Sequence, residues 1–207
     1  PKLIPAKVNE QEQAGFIEEI SSETCPVYYL DGVHPQYNSK PGYGWFLKNK
    51  SIGLQSNSGR KRININGAFD PKTLKGFFFE SDTVDTFSTL ELLKKIDDFH
   101  RVEVKKIIVV CDNAKYYKNG VIRAFLKLHF KRIVLKFLPS YSPNLNYIER
   151  LWKIMHQKVT RNIFYKNFDD FKRAILGFFE NLPELYDEIR SKFKKISVLK
   201  KPQFIIA

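Results

Sequence analysis

The chain has 207 residues, 43% of them apolar and 28% charged, with a formal net charge of +13. That length and balance exclude wholesale disorder and suit one domain, or one domain with a small appendage, around a sizeable core. The positive excess points to a polyanionic partner such as nucleic acid, and no apolar run approaches the roughly 20 residues needed to cross a bilayer.

The charge is uneven. Residues 1–49 hold four Lys/Arg against six Asp/Glu, residues 50–149 hold 18 against 10, and residues 150–207 hold 13 against six. The basic surface therefore belongs to the centre and C-terminal part. Cys25 and Cys111, the only cysteines, lie in apolar contexts and read as small core residues in a reducing compartment. The start at Pro1 rather than Met reads as an excised domain.

In chain order, a short helix is expected around Glu10–Ile20, with Phe16, Ile17 and Ile20 on one face. Pro26–Asp31 reads as a buried strand ending in an acid. Gly42–Leu47 and Arg62–Phe69 read as two further strands, the second alternating as a half-exposed antiparallel strand does, with residues 50–62 as the loop between them. Gly76–Glu80 is another short strand. Asp85–His100 carries Phe87, Leu90, Leu93, Ile96 and Phe99 at helical spacing. Lys106–Cys111 is a strand, Val121–Phe130 a helix and Ile133–Phe137 a strand. Ser142 is placed to cap a helix with Pro143 at its first position, and that helix puts Leu145, Ile148, Trp152, Met155 and Val159 on one face. A last amphipathic helix uses Phe168, Phe171, Ile175, Phe178 and Leu182, and the segment after Pro183 is basic and weakly patterned. Antiparallel strands followed by strand–helix alternation predict an α/β fold, a mixed sheet with helices on its faces.

Three acids stand out by position. Asp31 ends the first strand, Asp112 ends a later one, and Glu149 sits at the rim of the apolar stripe of the helix after Pro143. Between Asp112 and Glu149 there is no other Asp or Glu but seven Lys or Arg, so two isolated carboxylates flank a wholly basic window. Converging carboxylates repel one another unless a cation neutralises them, and an oxygen-only donor set favours Mg2+ or Mn2+. Two such ions would activate an attacking water or hydroxyl and stabilise the leaving oxygen. Each acid also has a plainer reading: Asp31 before Gly32 and Asp112 before Asn113 as turn residues, Glu149 as the i,i+4 partner of Lys153.

The run Asp112-Asn113-Ala114, followed by Ser140-x-Ser-Pro-x-Leu-Asn-x-Ile-Glu149-x-x-Trp152, resembles the catalytic core of bacterial insertion-sequence transposases of the mariner-like superfamily, the DDE superfamily endonuclease domain. Leu30-Asp31-Gly32-Val33-His34-Pro35-Gln36, Tyr43-Gly44-Trp45 and the opening Pro1–Pro5 extend the resemblance, which runs from Pro1 to about Leu182. It implies a ribonuclease-H-like mixed sheet, three antiparallel strands then parallel ones with helices on both faces. It divides the chain into residues 1–24 as a linker from an upstream DNA-binding region, residues 25–182 as the catalytic domain and residues 183–207 as a basic tail. Asp31, Asp112 and Glu149 would hold two Mg2+ or Mn2+ ions and carry catalysis, with His34, Asn113 and Asn146 as near-site supports. The implied reaction is hydrolysis at transposon ends followed by strand transfer into target DNA, by a homodimer or larger assembly in the prokaryotic cytoplasm at the nucleoid. A ribonuclease-H-like nuclease that cuts without joining, and a non-catalytic DNA-binding descendant of a transposase, are the alternatives.

Without a visible helix-turn-helix, DNA contact is expected mainly through phosphates, and Arg60, Lys61, Arg62, Lys115, Lys118, Arg150 and Lys153 are the candidates. Trp152, Phe168, Phe171, Phe178 and Phe179 read as core, whereas Tyr43 and Trp45 read as exposed contacts for DNA or a partner. Tyr117 stands where many members of the family carry His and receives no role.

Overall fold

The computed structural model describes residues 7–43, 45, 47–49, 53–58 and 60–193; the opening Pro1–Pro5 and the end of the basic tail lie outside them. Five strands, β1 (Val27–Val33), β2 (Asn64–Phe69), β3 (Gly76–Ser81), β4 (Ile107–Cys111) and β5 (Ile133–Phe137), form one sheet in the order β3-β2-β1-β4-β5. β1, β2 and β3 pair antiparallel, and β1, β4 and β5 pair parallel. This is the mixed sheet expected from the element order.

Side chains alternate across a strand, and the two apolar sets go to two helical layers. Tyr29, Ile65, Phe69, Ile108 and Val110 pack against helices α4 (Ile148–Met155), α5 (Phe168–Glu180) and α6 (Tyr186–Lys192). Tyr28, Leu30, Ala68, Ile107, Val109 and Cys111 pack against α2 (Thr86–Phe99) and α3 (Gly120–Leu128). α1 (Glu10–Ser22) adds Phe16, Ile17 and Ile20 to the α4 side. Side chains cap most of the helices, as their sequences provide. Asn9 accepts from the amides of Gln11 and Glu12, Asp85 and Ser88 form a reciprocal capping box on α2, and Asn119 and Asn167 cap α3 and α5.

Four expectations need correction. The described residues of Gly42–Leu47 form no strand: no neighbouring strand is there to pair with them, and Tyr43 and Trp45 are fully exposed. β2 is buried at every position rather than half-exposed, because helices cover both faces of the sheet; its Asn66 amide donates to Thr89 Oγ1. Ser142 makes no capping bond and Pro143 opens a 3₁₀ turn, Pro143–Leu145, so α4 begins only at Ile148. Residues 183–192, read as the start of a tail, lie in a 3₁₀ turn, Leu182–Leu185, and in α6, and Ile189 is fully buried in the core.

Candidate acid site at the sheet end

In the parallel register Tyr29 lies beside Val110, so Asp31 and Asp112, two residues further along each chain, leave the same sheet end toward the same face. That face carries α4. Its first turn supplies Glu149, and the three carboxylates line one cavity of about 380 Å³ together with Asn113, Asn146 and the Leu138–Pro143 loop. A larger apolar cavity, about 950 Å³, lies at the other end of β1 between α1 and the sheet and contains none of these acids.

Burial pushes the Asp31 carboxyl up to about 7, aided by the charges of Glu149 and Asp112 and opposed by hydrogen bonds from the Trp152 indole and the Gly32 amide. Burial likewise raises Glu149, with Lys153 lowering it and Asp112 raising it. No Glu149–Lys153 ion pair closes among the described residues, so the plain reading of Glu149 is not realised. Asp112 does serve its turn: one carboxylate oxygen accepts from the Ala114 amide at 2.9 Å. The same side chain still faces the cavity.

Among the described residues no three acids, histidines or cysteines are gathered closely enough to chelate an ion as they stand. The donor chemistry nevertheless suits a hard divalent cation, because the cavity offers only oxygen and amide groups. Asn146, buried at 3% exposure, has no hydrogen-bond partner for its side-chain oxygen among the described residues. A buried orphan acceptor is costly, and here it belongs to a residue lining the acid cavity.

Of the other expected residues, Asn113 lines the cavity but is tied at both ends of its amide, to Leu138 O (2.8 Å) and from Lys118 Nζ (2.6 Å). His34 is not among the cavity residues; its Nδ1 meets Asn64 Oδ1 at 2.7 Å. Arg60, Lys61 and Arg62 are exposed and run into the start of β2, the same sheet end as Asp31. Lys115 and Lys153 are exposed, and Arg150 lies over the Tyr147 ring. Tyr117 is a buried core residue.

Two features were not read from the sequence. Gln13 of α1, fully buried, donates to Ser142 Oγ at 2.9 Å and accepts from Asn144 Nδ2 at 3.3 Å, so α1 fastens the loop that carries the site. Only a polar residue on the inner side of a short helix hinted at it. Tyr141, in the same loop, holds φ at 57°, a left-handed conformation costing roughly 1–2 kcal/mol for a non-glycine residue.

Residues 26–172 match the DDE superfamily endonuclease family. The chain is 30% identical over 146 residues to the insertion element IS630 uncharacterized 39 kDa protein of Shigella sonnei, a match covering 70% of this chain and 42% of that protein. Its fold resembles that of the mariner Mos1 paired end complex with Mg, with a TM-score of 0.62 at 16% identity over 94% of this chain and 66% of that one. It also resembles the catalytic domain of Mos1 mariner transposase, with a TM-score of 0.53 at 12% identity over 91% and 97%. The chain thus spans less than half of its IS630 relative, has the ribonuclease-H-like fold of transposase catalytic domains, and belongs to the DDE superfamily endonucleases.

Proposed function

We propose that this chain is the catalytic domain of an insertion-sequence transposase, cutting DNA at transposon ends and joining the freed ends to target DNA. The observation that carries the reading is the meeting of Asp31, Asp112 and Glu149, from β1, the end of β4 and α4, at one cavity. These three would hold Mg2+ or Mn2+, two ions in the full site, with Asn146 available as a further oxygen. Such ions supply Lewis acidity and lower the pKa of an attacking water.

The chain's own residues bind and orient. Lys153 acts on Glu149 and Lys118 bonds Asn113; with Lys115, Arg150, Arg60, Lys61 and Arg62 they would neutralise phosphates and fix the scissile bond over the cavity. In the first step water attacks phosphorus, the P–O3′ bond breaks, and a 3′-hydroxyl and a 5′-phosphate result. In the second, that 3′-hydroxyl attacks a target phosphodiester and displaces the target's own 3′-oxygen. Partners are the transposon ends, target DNA and a second copy of the chain, in the prokaryotic cytoplasm at the nucleoid. Among the described residues no helix is long and apolar enough to cross a membrane.

The test is nicking of supercoiled plasmid in Mn2+, Mg2+ or EDTA by wild type and Asp112→Asn, followed by joining of a labelled 3′-hydroxyl end to a second duplex. Metal-dependent nicking lost in the variant, with joined product from wild type, is expected. Equal cutting by the variant removes Asp112 from the site, and cutting without joining leaves a nuclease.

A further inference from the structure

The antiparallel register sets Asp31 directly opposite Gly67 of β2. From the helical layer above, the Trp152 indole Nε1 donates to Asp31 Oδ2 at 3.0 Å. The ring reaches that oxygen only by lying over position 67: a Cβ built there would stand 2.5 Å from Trp152 Cη2 and 3.0 Å from Cζ2. Glycine inside a strand marks such a close approach. Its neighbours on this face, Ile65 and Phe69, carry full side chains and are completely buried, so the gap is local to the indole and to the edge of Phe78, whose Cδ1 stands 3.0 Å from the same Cβ. Two further rings hold the indole edge-on. Phe78 lies 6.0 Å away, Phe179 lies 5.8 Å away at 90°, and these two stack on each other at 4.2 Å.

We propose that Trp152 is a positioning residue for Asp31, with Gly67 as the clearance that lets it act. A buried indole N–H needs an acceptor, and this one uses a carboxylate, a charge-assisted bond. The ring is clamped by Phe78 and Phe179, so the bond fixes the direction of the carboxylate instead of following it. Asp31 is thereby aimed before any ion arrives. The inference rests on the reading of Asp31 as an ion ligand.

The experiment measures Mn2+ dissociation constants by titration calorimetry on the full chain, with thermal unfolding and nicking alongside, for wild type, Asp31→Asn, Trp152→Phe, Gly67→Ala and the last two combined. Trp152→Phe keeps an aromatic ring but removes the donor, and weakens Mn2+ binding about 10- to 100-fold, as loss of an outer partner of a metal ligand does. Gly67→Ala displaces the ring from the opposite strand and weakens binding in the same direction. Adding Gly67→Ala to Trp152→Phe causes little further loss of affinity, because the smaller ring removes the 2.5 Å approach and leaves only the edge of Phe78 at 3.0 Å. A purely structural tryptophan would lower the melting temperature without moving the Mn2+ constant. Should Trp152→Phe fail to fold, Gly67→Ala alone decides. Unchanged Mn2+ binding in Asp31→Asn overturns the acid-site reading itself. Lost binding there, with wild-type binding in the foldable Trp152 and Gly67 variants, leaves the acid site standing and overturns the positioning role.

Discussion

Asp31→Asn separates what the acid site costs the fold from what it does. Burial holds the Asp31 carboxyl at about 7 in the folded chain, against about 3.9 in an unfolded one. Between those values the native state keeps a proton that the unfolded state has released, so stability falls as pH rises through this window and levels off above about 7. At about 1.4 kcal/mol per pH unit the full penalty is at most about 4 kcal/mol. Relaxation around a buried charge brings the expected value nearer 2 kcal/mol, or roughly 4–8 °C in melting temperature for a domain of this size. The amide variant keeps an oxygen for the Trp152 indole and carries no charge at any pH. In thermal melts with EDTA, wild type and variant should lie close together near pH 4, the gap should widen through the window, and the variant should be the more stable at pH 8. Adding Mn2+ at pH 8 should raise the wild-type melting temperature and leave the variant unmoved, since only the carboxylate gains from the ion. A difference between the two proteins that stays constant from pH 5 to 8 would refute the claim that burial of Asp31 loads the native state.

Gln13→Leu keeps the volume but not the amide, and loss of two buried hydrogen bonds should cost about 2 kcal/mol; a melting temperature equal to wild type would show that α1 does not hold the Ser142–Asn144 loop. Burial, reinforced by Lys40 and Arg161, depresses His156 to about 4. Its contribution to stability is therefore complete above the unfolded value near 6.5 and lost as pH falls toward 4. His156→Gln should flatten the fall in melting temperature between pH 6.5 and 5, and an unaltered pH profile would count against it. Replacing Arg60, Lys61 and Arg62 together with Ala should reduce the slope of log K against log salt by about 0.9 for each phosphate these side chains neutralise; a slope measured as identical would remove this run from the DNA surface.

The sheet was legible because its strands are apolar runs ended by acids, glycines or turn residues, and the period changes to 3.6 where the helices begin. Residues Ile107–Cys111 and Ile133–Phe137 could hardly be anything else. Gly42–Leu47 resembled a strand because Tyr43 and Trp45 stand next to glycines, and among the described residues no strand pairs with it. Ser142-Pro143 carries a helix-start signal of the right kind, but its hydroxyl is used by Gln13 from a point 129 residues away, which no window along the chain can reveal. Asp31 and Asp112 were conspicuous as carboxylates in or just after apolar strands, whereas Glu149, on a helix, stood out only through the motif that precedes it. Trp152 was read as core, and it is buried; that its one polar atom meets Asp31 depends on Gly67, and a glycine in a strand announces a close approach without saying to what.

The clasp between Gln13 and the Ser142–Asn144 loop also bears on how the domain can be cut out. The stretch matching the endonuclease family, residues 26–172, looks like a natural unit, yet its limits pass inside the folded body. A fragment trimmed to them loses Gln13, the Phe16–Ile20 wall of the large apolar cavity, and Ile189 from the core. The loop preceding Glu149 would then keep its strained Tyr141 without the amide that steadies its neighbours. The family match outlines the chemistry here, whereas the boundary of the packed unit is drawn by two helices outside it, α1 and α6.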